Sequence, residues 1–196
     1  MEEMLTKLKQ DARENFIPIV RDETLSALLN CIKENKPKRI LEIGTAVGYS
    51  ALNMLNVSDA DIVTIEKNPD RCTIATQNFQ KADCMARIRL LQGDAIEILD
   101  SLVKGQEAFD FAFLDGPKGQ YIKYLPFILK LLNNNGVIFA DNVGLLGLVA
   151  DSEKVNHKNR TMVRNMQTFL KQVTSDEKLQ TTIYDIDDGY AIIKKI

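Results

Sequence analysis

The chain of 196 residues has few of the features that mark disulfide-rich or zinc-binding proteins. Its 3 cysteines, Cys31, Cys72 and Cys84, are odd in number, form no C-x-x-C motif and have no histidine near them in the sequence. This pattern argues against a disulfide framework or a zinc site, and it favours reduced cysteines that pack in the core. The only histidine, His157, is more typical of a surface residue than of a metal ligand when it stands alone.

Long hydrophobic runs and a charge excess are also missing. No apolar run reaches the length that crosses a membrane, and residues 1–16 lack the apolar centre of a signal peptide. We therefore expect a cytoplasmic protein without membrane contact. The net charge of −2 argues against a general nucleic-acid binder, so any contact with RNA has to be local. We expect a single domain over 1–196, with 1–36 as an N-terminal helical cap.

Segments of strand and helix character alternate along the chain, which is typical of a parallel sheet with right-handed crossovers. Strands are predicted at 39–43, 62–65, 88–91, 109–114 and 137–140, and helices at 20–33, 50–55, 71–81, 95–103 and 121–132. Two β-rich runs, 180–186 and 190–194, flank a D-D-G turn and predict a terminal hairpin. The expected α/β fold is Rossmann-like, a seven-stranded, mostly parallel sheet with helices on both faces and a C-terminal antiparallel hairpin strand.

The most informative motif is LEIGTAVGYS at 41–50, which reads as a buried strand, a glycine turn and the start of a helix. A dinucleotide-binding turn of the form G-x-G-x-x-G would need glycine where this chain has Ala46 and Tyr49. Gly44 preserves the tight turn, and Gly48 allows the helix to begin close to the sheet. The loop therefore suits a nucleoside cofactor without a phosphate group, such as S-adenosylmethionine (SAM).

Acidic residues follow the next strands along the chain. Glu66 lies 22 positions after Gly44, near the spacing at which a carboxylate meets ribose hydroxyls. Asp94 follows the third predicted strand and could accept a hydrogen bond from an adenine amine, and Asp115 ends the fourth. Because parallel strands present their carboxyl ends at one sheet edge, we expect these four residues to surround the cofactor.

Oxygen-bearing side chains also follow two neighbouring strands. Asp115 ends the fourth predicted strand, and Asp141 and Asn142 end the fifth. Hard oxygen ligands of this kind suit Mg²⁺, and Lys118 lies close enough to Asp115 to reach a metal-bound hydroxyl. Each residue also has a structural interpretation: the aspartates as helix caps, Asn142 as a turn residue and Lys118 as a solvated charge.

The chain resembles the cation-dependent O-methyltransferases, which include catechol and caffeoyl-CoA O-methyltransferases. The resemblance extends from Ile17 to Lys194 and rests on LEIGTAVGYS, TIEKNPD, GDA at 93–95, Asp115 with Lys118, GVIFADNV and the final D-G. It implies Lys118 as the base. It implies metal ligands at Asp115, Asp141 and Asn142. It also implies that Val20 covers the methionine end of the cofactor, and that the other cofactor contacts are Glu42, Gly44, Ser50, Glu66, Asp94, Ala95 and Asp115.

Within this family the sequence is most similar to bacterial enzymes that methylate 5-hydroxyuridine at the tRNA wobble position, which implies tRNA as substrate and a homodimer. The similarity rests on IPIV at 17–20, PKGQY at 117–121, GLVA at 147–150 and a basic stretch. 5-Hydroxyuridine places a hydroxyl beside a carbonyl, so it can chelate a metal as a catechol does. The basic stretch could equally be a solvated helix face. It consists of Lys154, His157, Lys158, Arg160 and Arg164.

Three alternatives to a tRNA methyltransferase remain open. A methyltransferase acting on a small catechol-like or phenolic metabolite would use the same site. A nicotinamide-dependent dehydrogenase is disfavoured by Ala46 and Tyr49. A noncatalytic RNA-binding module is supported only by the basic stretch.

Overall fold

The computed structural model describes residues 1–145, 147, 149 and 157–196, and helices and strands alternate through them. The strands are β1 (Arg39–Ile43), β2 (Asp61–Glu66), β3 (Ile88–Gln92), β4 (Phe109–Leu114), β5 (Leu132–Asp141), β6 (Leu179–Tyr184) and β7 (Tyr190–Lys195). The helices are α1 (Glu2–Glu14), α2 (Asp22–Asn35), α3 (Tyr49–Val57), α4 (Pro69–Lys81), α5 (Ala95–Lys104), α6 (Tyr121–Leu131) and α7 (Arg160–Ser175). Short 3₁₀ turns lie at Lys118–Gln120 and His157–Asn159.

The strands form one 7-stranded sheet in the order β3-β2-β1-β4-β5-β7-β6. The first five strands pair in parallel, whereas β7 pairs antiparallel with both β5 and β6. This arrangement confirms the predicted fold class, including the terminal hairpin. The order of the parallel strands reverses between β1 and β4, and open α/β sheets bind ligands beyond the carboxyl ends of the strands at such a reversal.

Each face of the sheet carries its own hydrophobic core. Helices α5, α6 and α7 cover one face, where Leu99, Leu125 and Phe169 are fully buried. Helices α1 to α4 cover the other, where Leu28 and Phe79 are fully buried. Side chains of β1 and β4 contribute to both cores, because successive side chains of a strand point to opposite faces of the sheet.

Local signals explain where two helices next to the site begin. The side chain of Asn68 accepts hydrogen bonds from the amides of Asp70 and Arg71 at 2.9 and 3.1 Å, and Pro69 stands at the first position of α4. Asp94 accepts from the amide of Ile96 at 3.0 Å and so starts α5. These contacts satisfy amides that have no partner within the helix.

Several elements differ in their bounds from the sequence prediction. Helix α2 begins at Asp22 rather than at residue 20, because Arg21 adopts an extended conformation. Strand β5 begins at Leu132 rather than at residue 137, with an irregular register opposite β4 between Phe109 and Phe111. The sequence analysis assigned no bounds to α7, which buries Val163 and three further apolar residues. Within the described part of the chain, no helix has both the length and the apolar character needed to span a membrane.

Candidate active site

A cavity of about 790 Å³ opens at the carboxyl ends of β1 to β5, where the strand order reverses. Its volume lies within the range of small-molecule and cofactor sites. Most of the residues predicted for the site line it together: Gly44, Glu66, Asp94, Ala95, Asp115, Lys118, Asp141 and Asn142. Three others, Val20, Glu42 and Ser50, are buried and are not part of the lining.

The two glycines of the β1–α3 loop bring backbone and helix close to the cavity. A side chain at Gly44 would place its first carbon 2.5 Å from the carbonyl oxygen of Asp115, and one at Gly48 would lie 2.5 Å from the ring of Phe79. Both residues also have positive φ angles, +107° and +85°. The loop therefore needs glycine at both positions, as the sequence indicated.

Glu66 is held at the end of β2 by backbone amides. One carboxylate oxygen accepts from the amide of Ala46 at 2.9 Å, and the other accepts from the amide of Asn68 at 2.9 Å. The residue is 7% exposed and lines the cavity. These contacts fix the direction of the carboxylate while each oxygen keeps a further lone pair for a ligand hydroxyl.

Asp94 has two partners within the protein. Besides capping α5, its carboxylate pairs with the ammonium group of Lys67 at 3.0 Å. The hydrogen bond from Lys67 and the bond from the Ile96 amide lower the pKa of Asp94 below its usual value. The carboxylate is therefore held ionised at the cavity wall, and its contact with an adenine amine stays a prediction.

Glu42 and Ser50 lie beneath the cavity in a buried polar network. The hydroxyls of Ser50 and Thr64 donate to the two carboxylate oxygens of Glu42, each at 2.5 Å, and Thr45 lies 2.6 Å from Thr64. Burial, opposed by these two hydrogen bonds, raises the pKa of Glu42 to about 7. The network joins β1, β2 and the start of α3, so it supports the glycine loop from below.

Val20 belongs to the extended segment 17–21 that connects α1 and α2. Its side chain is 4% exposed, and its neighbours Pro18, Ile19 and Arg21 line the cavity. We call 17–21 the wall segment. Val20 packs in the hydrophobic core and so anchors this segment. Its contact with the methionine end of a cofactor stays a prediction.

The ends of β4 and β5 bring the predicted metal ligands side by side. Leu114 and Ala140 are partners in the parallel register, so Asp115 and Asp141 are the next residues on neighbouring strands. Asn142 follows directly and adopts a left-handed conformation with φ of 56°. Burial and the nearby charge of Asp115 raise the pKa of Asp141 to about 7.

Lys118 and Tyr121 complete this end of the cavity. The ammonium group of Lys118 lies 2.6 Å from the carboxylate of Asp115 and donates to the phenol oxygen of Tyr121 at 3.3 Å. The Tyr121 hydroxyl donates to the carbonyl of Leu114 at 2.8 Å and lies 3.1 Å from the carbonyl of Asp141. One buried phenol thus bridges both strand ends and touches the candidate base. Tyr121 carries no sequence signal of this role.

The donor set at these strand ends fits a hard divalent cation. It consists of two carboxylates and one side-chain amide, all on the cavity wall. No cluster of three or more histidine, cysteine, aspartate and glutamate side chains suited to a metal occurs among the described residues. Asp115, Asp141 and Asn142 would offer a divalent cation oxygen donors, the donor type that suits Mg²⁺, and their role as ligands stays a prediction.

Cationic residues line more of the cavity than the sequence analysis identified. Arg21, Lys67, Arg71 and Lys123 all contribute to its lining in addition to Lys118. They come from the wall segment, the β2–α4 connection, α4 and α6. The only local signal for Lys67 and Arg71 was their position shortly after Glu66, in the stretch 67–71.

The basic stretch falls only partly within the described structure. Arg160 and Arg164 are exposed on the first two turns of α7. This part of the helix packs beside the 3₁₀ turn that carries Lys118, since Asn165 donates to the carbonyl of Gly119 at 2.9 Å. Lys154 and the side chain of Lys158 lie outside the described residues, as does part of the GLVA motif at 147–150.

The sheet order and the cavity at the strand reversal define a Rossmann-like α/β protein whose glycine loop lacks the dinucleotide pattern. The chain belongs to the O-methyltransferase family, whose model matches residues 1–196. The predicted enzyme class, a SAM-dependent O-methyltransferase, is thereby confirmed.

Individual relatives agree with this family assignment. A caffeoyl-CoA O-methyltransferase from Populus kitakamiensis is 30% identical over 186 residues, which cover 92% of this chain and 78% of the relative. A Staphylococcus aureus protein provisionally assigned as a caffeoyl-CoA O-methyltransferase superposes with a TM-score of 0.90 at 32% identity, covering 97% of this chain and 91% of that one. The O-methyltransferase TomG of Streptomyces achromogenes, solved with SAM, has a TM-score of 0.86 at 26% identity, covering 98% and 89%.

Proposed function

We propose that this enzyme transfers the methyl group of SAM to a hydroxyl oxygen with the help of a divalent cation, Mg²⁺ being the best match. The observation that carries the proposal is the convergence of two carboxylates, an amide and a lysine at the neighbouring ends of β4 and β5, on the wall of one cavity. Asp115, Asp141 and Asn142 are the proposed cation ligands, and Lys118 is the proposed base.

Removal of the proton from the acceptor hydroxyl is assigned to side chains of the protein. When bound, the cation lowers the pKa of an acceptor hydroxyl. Lys118, held near Asp115 at 2.6 Å and near Tyr121 at 3.3 Å, would take the proton as its neutral amine and become the ammonium group. The oxygen then attacks the methyl carbon in line while the bond from this carbon to the SAM sulfur breaks, so S-adenosylhomocysteine leaves. Alignment of the two reactants supplies much of the rate acceleration.

The cofactor contacts follow the order of the strands across the sheet. We assign the ribose hydroxyls to Glu66 and the adenine end to Asp94 and Ala95. Gly44 lets the cofactor approach the backbone between β1 and β4. We assign the methionine end to Val20 and the wall segment. Further cofactor contacts are assigned to Glu42, Ser50 and Asp115.

For the acceptor we propose 5-hydroxyuridine at the wobble position of tRNA. Two observations support a polyanionic substrate: Arg160 and Arg164 are exposed beside the Lys118 turn, and the cavity lining carries cations from four other segments. The acceptor base itself offers two adjacent oxygens to one cation, as a catechol does. Positive side chains around the cavity would contact the RNA phosphates.

A small catechol-like or phenolic acceptor is the second candidate. The relatives support it, because the Populus kitakamiensis protein is a caffeoyl-CoA O-methyltransferase. Such an acceptor would use the same oxygen ligands and the same base. Parallel assays with caffeoyl or catechol acceptors and with tRNA carrying 5-hydroxyuridine separate the two candidates. Mass spectrometry of wobble nucleosides from a deletion strain tests the tRNA assignment in the cell.

The cation requirement is tested by chelation together with a substitution at the strand end. EDTA should abolish turnover and Mg²⁺ should restore it. Asp141→Asn should abolish turnover while S-adenosylhomocysteine still binds, because Asp141 is assigned to the cation alone. Asp61→Asn, an exposed aspartate at the opposite end of β2, is the matched control and should keep full turnover. Full activity in EDTA would refute the cation assignment.

A further inference from the structure

The loop between β6 and β7, residues 185–189, hydrogen-bonds to two segments that are each continuous with cavity-lining residues. On one side, the carbonyls of Gly189 and Asp188 accept hydrogen bonds from the amides of Val143 and Gly144 at 2.9 and 2.8 Å. These amides directly follow Asn142. The hairpin loop is therefore pinned to the strand end that carries the proposed cation ligands.

On its other side, the same loop reaches the first turn of α2. One carboxylate oxygen of Asp187 accepts from both the amide and the hydroxyl of Thr24, at 3.0 and 2.8 Å. Arg21, the residue before α2, provides no side-chain cap of its own. The Thr24 amide is one of the four at a helix start that lack a partner within the helix, and a carboxylate there also interacts favourably with the helix dipole.

This contact lies beside the end of the wall segment. The segment is tied at its beginning by the amide of Ile17, which donates to Ala12 at 2.9 Å, and it runs into α2 at Asp22. Pro18, Ile19 and Arg21 line the cavity between these two points. Since Asp187 holds the first turn of α2, it also holds the far end of the wall segment.

We propose that Asp187 is a positioning residue for methyl transfer, which couples the wall segment to the Asp141–Asn142 strand end and keeps that wall closed against the cofactor. The inference rests on the proposed location of the cofactor in this cavity. Asp187 touches neither the reacting atoms nor the proposed cation ligands directly; its effect passes through Thr24 and through the loop that it belongs to.

The test measures binding of S-adenosylhomocysteine by calorimetry to wild type, Asp187→Gly, Asp187→Asn and Asp185→Gly. Glycine and asparagine both tolerate the left-handed conformation of residue 187, φ 56°, so neither adds backbone strain. Loss of the cap in Asp187→Gly should weaken binding about tenfold, the size expected for one missing helix cap. Asp187→Asn keeps an acceptor oxygen and should restore most of the affinity. Asp185→Gly, at an exposed position of the same loop, should bind like wild type.

Hydrogen exchange adds a readout at the wall itself. In Asp187→Gly, the amides of Thr24 and of the wall segment should exchange faster than in wild type, and this difference should shrink when the ligand binds. Should Asp187→Gly fail to fold, Thr24→Val replaces it. Valine lacks the hydroxyl that donates to Asp187, whereas its backbone amide still donates. The affinity for S-adenosylhomocysteine should then fall roughly two- to threefold.

The outcomes separate this inference from the proposed function. If wild type binds S-adenosylhomocysteine and Asp187→Gly binds it equally well with only a lower melting temperature, Asp187 merely stabilises α2 and the inference is wrong. If wild type itself does not bind this ligand, the proposed cofactor site fails and the inference fails with it.

Discussion

Individual polar side chains at the sheet edge are buried, and their hydrogen-bond partners are protein groups beneath the cavity rather than solvent. Glu42 is fully buried yet has a hydroxyl donor for each carboxylate oxygen, and Tyr121 is fully buried yet bridges two backbone carbonyls. Buried polar groups that are fully paired specify one arrangement, whereas removal of one partner leaves a costly unpaired group. Both residues therefore lend themselves to single-substitution tests.

The first prediction concerns the pH dependence of stability through Glu42. Its pKa is raised from 4.5 to about 7 in the folded protein, so its contribution to stability is complete below about 4.5 and is lost as the pH rises through 7. Glu42→Gln removes this titration. Relative to the variant, wild type should lose up to about 3 kcal/mol between about pH 5 and pH 8 in urea unfolding. Glu97→Gln, at an exposed position, is the matched control, and parallel pH profiles for wild type and Glu42→Gln would contradict the prediction.

The second prediction concerns the phenol that bridges the strand ends. Tyr121→Phe leaves the carbonyls of Leu114 and Asp141 without this donor, which should cost about 1–2 kcal/mol of unfolding free energy. Because the two strand ends carry the proposed cation ligands, the variant should also need a higher Mg²⁺ concentration for half-maximal turnover. Its affinity for S-adenosylhomocysteine should stay close to wild type.

Tyr49→Phe provides the comparison for this experiment, since Tyr49 is a buried tyrosine of α3. It should leave the Mg²⁺ requirement unchanged. An unaltered Mg²⁺ requirement in Tyr121→Phe as well would show that the phenol stabilises the fold without positioning the ligands.

At the level of elements, α7 combines a buried apolar face with an exposed basic one. Val163, Met166 and Phe169 pack toward the sheet, while Arg160 and Arg164 stay exposed. The start of the helix touches the turn that carries Lys118 through Asn165. The helix therefore places two positive charges near the proposed base without involving them in the chemistry.

The third prediction tests that placement. Replacing Arg160 and Arg164 together by glutamine should raise the Michaelis constant for tRNA and reduce the slope of its salt dependence by about one for each phosphate that is no longer neutralised. The control variant, Lys171→Gln with Lys178→Gln, removes two exposed charges, one from the last turns of α7 and one from the residue before β6. It should change neither quantity. Methylation of free 5-hydroxyuridine should also stay the same in both variants. Unaltered tRNA kinetics in the arginine variant would show that this basic face is only solvated.

At the level of the whole molecule, the cavity is assembled from segments that are distant along the chain. The wall segment, the ends of five strands and the first turn of α6 all line it. A ligand in this cavity therefore touches most of the elements around the strand reversal, and its binding free energy stabilises the fold as a whole.

The fourth prediction follows from this arrangement. S-adenosylhomocysteine at about a hundredfold excess over its dissociation constant should stabilise the folded protein by about 2.7 kcal/mol and raise its melting temperature. NAD should have no such effect, because Ala46 and Tyr49 occupy the glycine positions of a dinucleotide turn. Thermal unfolding followed with each ligand in turn provides the measurement, and stabilisation by NAD alone would contradict the cofactor assignment.

The sequence by itself determined the fold class and the polar residues that follow the strand ends at the cavity. The strands at 39–43 and 109–114 were predicted with the bounds that the structure has, since short buried strands between turn residues leave a strong local pattern. The acidic residues after successive strands were expected at one sheet edge because parallel strands share their direction, and the cavity brings them together there. The need for glycine at Gly44 and Gly48 was likewise evident from their spacing.

The tertiary structure alone decided what holds these residues in place. Thr24 and Asp187 are separated by 163 positions, so no local pattern could indicate that one caps the helix of the other. The bridge from Tyr121 to Asp141 spans 20 positions and depends on two strands lying side by side. Glu42 and Ser50, implied as cofactor contacts by resemblance, form a network below the cavity instead of lining it. Periodicity and spacing report how each segment folds, whereas contacts between distant segments form only when the whole sheet assembles.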